Sequence, residues 1–144
     1  DRWGLPGMRV LQFAFDGSPD NPHLPERCPE HAVLYTGTHD NDTSVGWLAG
    51  LDEPTRGRVL ARTGGADDWP WPLLELALAS PAHTVVIPIQ DFLGLGSEAR
   101  TNVPGTIAPS NWHWQLPAAA LTEGLAARIR ARLEAHGRLP GAVS

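Results

Sequence analysis

Three short runs of consecutive apolar residues constrain this chain more than anything else in it. They are Arg9 to Phe15 (RVLQFAF), Ala32 to Thr36 (AVLYT) and Thr84 to Ile89 (TVVIPI). Successive side chains of a strand point to opposite faces, so a strand with one wet face alternates apolar and polar residues. A run that is apolar at successive positions predicts a strand buried on both faces, which is the condition of parallel sheets covered by helices. The first run leads into the turn-rich segment Asp16 to Pro29, and the second into the polar tip Gly37-Thr-His-Asp-Asn-Asp42.

Helix signals fill the space between the second and third runs. One candidate opens at Glu53-Pro54 and runs to about Ala61, and another runs from Pro72 to about Ala79. Both place proline at the first helical position, where its missing N–H leaves no bond unmade. From Pro117 to His136, Leu121, Leu125, Ile129 and Leu133 recur every four residues as one apolar stripe, with Arg128 and Arg132 off it as a solvated face. Gly137 and Pro140 supply the stop. Strand, helical connection, strand and terminal helix is the grammar of βα units, so the expected class is α/β with parallel strands. Three such strands leave two unpaired edges, which proteins normally pair or cover.

Length and composition narrow the function classes. A chain of 144 residues with 42% apolar content has the size and make-up of one globular domain. Its net charge of -5 offers no basic field for phosphate backbones, so nucleic acid is not an expected partner. The apolar runs are far shorter than the roughly 20 residues that span a bilayer, and no signal peptide opens the chain. No membrane association and a cytoplasmic location are expected. Cys28 is the single cysteine, read as a surface or semi-buried thiol, so an intrachain disulfide and a multi-cysteine zinc site are excluded. The 6 tryptophans suit sugar stacking and core packing alike, and their number alone favours core. The first residue is Asp1 rather than Met, which points to a start inside a longer reading frame.

Two segments carry groups capable of chemistry. His39-Asp40-Asn41-Asp42 follows the second strand directly, at the carboxyl end of a parallel strand, where catalytic groups gather in barrel and open-sheet enzymes. The same residue types also serve as turn formers. A calcium loop does not fit, because Val45 stands where the sharp turn needs glycine and Leu51 where a bidentate Glu is needed. Gly94-Leu-Gly-Ser-Glu-Ala99 matches the loose dinucleotide pattern G-x-G-x-x-A, but Pro104-Gly105 interrupts the helix that the pattern requires. Asn102, on the same segment, is either a hydrogen-bonding ligand group or a turn residue.

Together, the segments Gly4 to Phe15, Tyr35 to Thr43 (YTGTHDNDT), Pro88 to Asp91, Leu95 to Arg100 (LGSEAR), Asn102 to Gly105 (NVPG) and Asn111-Trp112 resemble the amylomaltase or 4-alpha-glucanotransferase family, in order and across Gly4 to Leu139. The resemblance implies a (β/α)8 TIM barrel, of which residues 1–144 would be the C-terminal part, with the three runs as strands six to eight and flanking helices. It implies three essential carboxylates: a nucleophile, a general acid/base, and an Asp that holds the sugar in its reactive state. Only the third falls in this chain, as Asp40, with His39 binding the same glucose unit. Asn102 matches a glucan-contacting Asn, and Phe13 an aromatic that affects how substrate sits. Gln115 departs from the family's basic residue after the Asn-Trp-aromatic motif. Asp91 and Glu98 to Arg100 read as a buried ion pair or loop brace.

The implied activity is transfer of alpha-1,4-glucan segments to the 4-hydroxyl of an acceptor sugar, with alpha-1,4-glucans and maltooligosaccharides as partners, no cofactor and no metal. The alternatives are an alpha-glucan hydrolase on the same barrel, and a glucan-binding segment without activity of its own.

Overall fold

A computed structural model describes residues 4–139. Strands β1 (Gly7–Val10), β2 (Ala32–Tyr35) and β3 (Thr84–Val86) form one parallel sheet in that order. Val10 lies opposite Tyr35, and Tyr35 opposite Val86, so the three carboxyl ends are level. The helices are α1 (Ser44–Gly50), α2 (Glu53–Thr63), α3 (Trp71–Leu78), α4 (Ile89–Phe92) and α5 (Glu123–Ala135). The expected α/β class with parallel strands is what the chain adopts.

One face of the sheet carries the core. Ala32 and Leu34 point from β2 into a cluster with Leu48 of α1, Val59 of α2, and Leu73 and Ala77 of α3. Leu11, Leu34, Val59 and Leu73 are all at 0% exposure, and each contributes about 2 kcal/mol by leaving water. Cys28 is buried in the same cluster rather than at the surface, and burial pushes its thiol pKa up, which leaves it inert at neutral pH. The opposite face departs from the expected double burial: Met8, Thr84 and Val86 are exposed, and Val33 and Tyr35 half-buried. The helices lie on the Leu34 side, and among the described residues no second layer covers Met8 and Val86.

Element ends show where the apolar runs mislead. β1 stops at Val10, and Leu11–Phe13 form a 3-10 turn in which the Ala14 N–H donates to the Leu11 carbonyl at 2.9 Å. Leu11, Ala14 and Phe15 are all buried, at helical rather than strand spacing, so one continuous apolar run serves two elements. β3 ends before Pro88, which lacks a ladder N–H and instead precedes α4. α1 has no counterpart among the expected helices, because Gly46 and Gly50 depress helix propensity. A Cβ on Gly46 would overlap Ser97 Oγ and Asp42 Oδ1, so glycine is needed for this helix to approach both.

The terminal helix is shorter than its pattern. Ala118–Ala120 form a separate 3-10 turn, Leu121 is exposed, and α5 begins at Glu123, capped by the Thr122 hydroxyl accepting from the Leu125 N–H at 3.1 Å. Gly137 adopts φ 64°, and Pro140 lies outside the described residues. The two arginines stay 37% and 44% exposed, yet each also makes a contact across the fold. The Arg128 guanidinium lies 3.8 Å from the Trp71 ring centroid and pairs with Asp68, and Arg132 Nε sits 3.0 Å from Glu75 Oε1. None of the residues of α5 is fully buried, so its ends depend on such contacts and on its cap. Thr122→Ala is expected to weaken the first turn by about 1 kcal/mol, seen as roughly fivefold faster amide exchange at Leu125 and its neighbours.

Candidate functional site

A cleft of about 320 Å³ opens where the carboxyl ends of the strands meet the loops that follow them. Tyr35 and Val86 contribute its floor, and His39, Asn41, Asp42 and Arg100 part of its wall. The loop after β2 is held at both ends by one carboxylate. Asp91 is 1% exposed; its Oδ2 accepts from the Thr36 hydroxyl at 2.8 Å and its Oδ1 from the Ser44 N–H at 2.7 Å. Thr36 precedes residues 37–43 and Ser44 follows them, so Asp91 ties the loop's entry to its exit. Burial raises the Asp91 pKa above the ordinary aspartate value, opposed by these two hydrogen bonds and reinforced by the nearby Asp42 charge.

Within the loop, the Asn41 carboxamide oxygen accepts from the Thr38 N–H at 3.0 Å and the Thr38 hydroxyl at 2.8 Å, which closes the turn. Gln12 Nε2 donates to the Asp42 carbonyl at 2.9 Å, and Asp42 Oδ2 accepts from the Ser97 hydroxyl at 2.7 Å. A Cβ on Gly37 would stand 2.8 Å from Gln12 Nε2, so that glycine admits the Gln12 contact. These bonds leave the two side chains at the loop's tip free to face solvent. The side chains of His39 and Asp40 are 58% and 48% exposed, with His39 Nε2 3.5 Å from Asp40 Oδ1.

Asn102 reaches this tip from across the site. Its Nδ2 donates to Asp40 Oδ1 at 2.7 Å, across 62 residues of sequence. Three of the four residues singled out in the sequence, His39, Asp40 and Asn102, therefore meet. Phe13 does not join them. It lies on the turn after β1, 52% exposed, with its ring edge-on to His23 at 5.5 Å.

Two neighbours of the cluster lie on segments the sequence singles out for other reasons, Trp112 as part of a matching motif and Arg100 as an ion pair or loop brace. Trp112 holds φ 64°, a conformation rare for a large side chain, and its ring lies 5.2 Å from that of His39. The Arg100 guanidinium donates to the Asp40 carbonyl at 2.7 Å and to the Asn102 carbonyl at 2.8 Å. The expected brace at Asp91 is present as hydrogen bonds to Thr36 and Ser44. Among the described residues there is no group of three or more His, Cys, Asp or Glu side chains arranged to hold a metal. No described helix is long and apolar enough to cross a membrane.

The cluster can hold a polar ligand by a fixed carboxylate, an imidazole and a carboxamide beside an aromatic face. Comparison with known proteins gives that arrangement its context. The sequence model of the 4-alpha-glucanotransferase family matches residues 1–122. A 4-alpha-glucanotransferase of Thermus thermophilus is 48% identical over 96% of this chain and 29% of its own length. The chloroplastic/amyloplastic 4-alpha-glucanotransferase of Arabidopsis thaliana is 45% identical over 94% of this chain and 24% of its own. The amylomaltase of Streptococcus agalactiae, solved in complex with acarbose, superposes with a TM-score of 0.88 at 26% identity, over 95% of this chain and 28% of that one. The chain thus spans about a quarter of the length of these relatives. With the family model matching most of the chain and relatives 45% and 48% identical across it, the chain belongs to the 4-alpha-glucanotransferase family.

Proposed function

We propose that this segment supplies strands six to eight of a (β/α)8 barrel, and one carboxylate of its active site, to an enzyme that transfers alpha-1,4-glucan segments between sugars. The observation that carries the reading is the 2.7 Å hydrogen bond from Asn102 to Asp40, at the carboxyl end of a parallel sheet, in a chain of this family. The apolar face bearing Met8 and Val86 suits the interior of a closed barrel, which has no unpaired edge.

Breaking a glucosidic bond builds positive charge on the anomeric carbon and ring oxygen. A carboxylate fixed in place can hold the ring hydroxyls of the distorted sugar while that charge develops, with no reorganisation at the moment of reaction. Asp40 suits this role because its side chain is short and its loop is tied at Thr36, Ser44 and Asp42. His39 would bind the same glucose unit, Asn102 would contact glucan as well as orient Asp40, and Phe13 would affect how substrate sits. Retention needs a nucleophile and an acid/base about 5 to 5.5 Å apart, supplied in this reading by other strands of the barrel. No cofactor takes part. The acarbose bound by the Streptococcus agalactiae relative agrees with a site for alpha-glucans and maltooligosaccharides.

Incubation of the full-length protein with maltotriose tests the reading. Transfer yields glucose together with maltooligosaccharides longer than the substrate, whereas an alpha-glucan hydrolase yields glucose and maltose with no lengthening. The 144-residue segment alone is expected to produce neither, because it brings one carboxylate of the three.

A further inference from the structure

We propose that Arg100 is a positioning residue for this reaction, setting the separation and orientation of Asp40 and Asn102 from behind; the inference rests on the glucan-transfer reading above. Its guanidinium makes no contact with the Asp40 carboxylate. It donates instead to two backbone carbonyls, Nη2 to that of Asp40 at 2.7 Å and Nε to that of Asn102 at 2.8 Å. These carbonyls belong to the two residues whose side chains meet in the site. Two donors of one rigid plane thus fix the distance between backbone segments that lie far apart in sequence.

The anchorage of the guanidinium supports the role. The Arg100 side chain is 24% exposed, and Nη1 stands 3.9 Å from Asp42 Oδ2, whose carboxylate balances the cation. Asp42 is itself held by Ser97. Gln90 Nε2 donates to the Ala99 carbonyl and to the Thr101 hydroxyl, both at 3.3 Å, which secures the backbone on either side of Arg100. Lysine offers a point charge without the fork, so it can keep one carbonyl but not hold both in the same plane.

The test uses the full-length enzyme with maltotriose. In Arg100→Lys and Arg100→Ala, kcat is expected to fall about 10- to 100-fold while KM stays within about threefold, because a misplacement near 1 Å disturbs the reacting geometry more than glucan binding. Millimolar guanidinium ion is expected to restore part of the turnover of Arg100→Ala and none of that of Asp40→Asn. Arg100→Lys serves as the variant that keeps charge and fold, checked by an unchanged unfolding midpoint. A wild-type kcat in Arg100→Lys, a loss carried mainly by KM, or an Arg100→Ala variant that guanidinium does not rescue would overturn the proposal while leaving glucan transfer intact. Absence of any transfer by the wild-type enzyme would instead remove the functional reading, and this inference with it.

Discussion

Replacing Asp40 by asparagine in the full-length enzyme is expected to lower kcat on maltotriose by about 10³-fold, on the order of 4 kcal/mol of transition-state stabilisation. The substitution is nearly isosteric and retains a carbonyl oxygen to accept from Asn102, so the local geometry should persist. In the proposed reaction, what disappears is the charge that would face the sugar as its ring becomes cationic. Because the Asp40 side chain is 48% exposed and its loop is tied elsewhere, the unfolding midpoint should stay within about 2 °C of wild type. That combination separates a catalytic carboxylate from a turn-forming one: loss of a turn former would lower stability and spare kcat. Near-normal turnover in Asp40→Asn would take this residue out of the site.

The location of Asp40 was readable in the sequence because it depends on local facts. A continuous apolar run marks β2, and the polar residues that follow must sit at its carboxyl end. Asn102 is not legible on residue type alone, since its approach to Asp40 depends on how β3 and the loops after it return to the sheet. Arg100 shows a finer limit: the sequence reads its segment as an ion pair or loop brace but not which atoms it braces. Its bond to the Asp40 carbonyl spans 60 residues and uses a backbone atom, which no pattern of side chains records.

Where the fold departs from the sequence pattern, the reasons are equally physical. The run RVLQFAF contains a strand and then a helical turn, and an unbroken apolar stretch conceals the change of period at Leu11. The helix α1 starts from a Thr43 cap, but its glycines obscure it, and one of them is there because Ser97 and Asp42 press against the helix. Charge alone places Arg128 and Arg132 in water, where both stay partly exposed, and does not name what they touch. Their partners Trp71, Asp68 and Glu75 belong to α3 and the loop before it, a pairing that depends on tertiary packing alone.

Asp91→Ala in the full-length enzyme is expected to cost about 3 kcal/mol or more of stability, and to lower kcat as well. Removing the carboxylate strands the Thr36 hydroxyl and the Ser44 N–H in a site where Asp91 is 1% exposed, and a buried donor without a partner costs about 1 to 3 kcal/mol. Those two residues bracket the loop that carries His39 and Asp40, so the same loss loosens the site. Asp91→Asn should be milder, about 1 kcal/mol, because its carbonyl can keep the Ser44 bond and the Thr36 hydroxyl can turn to accept from the new amide. The pH dependence gives the sharper test. Burial raises the folded-state pKa of Asp91, so the folded protein binds this proton more tightly than the unfolded chain. Its contribution is therefore fully present below the unfolded aspartate value near 3.9, and is lost as pH rises through the higher folded value. The asparagine variant has no such titration at this position. Urea unfolding of the two proteins across the carboxylate range should thus show wild type gaining on Asp91→Asn as the solution is acidified. A gain in the opposite direction would mean that the hydrogen bonds from Thr36 and Ser44 outweigh burial and hold Asp91 as a stabilised anion.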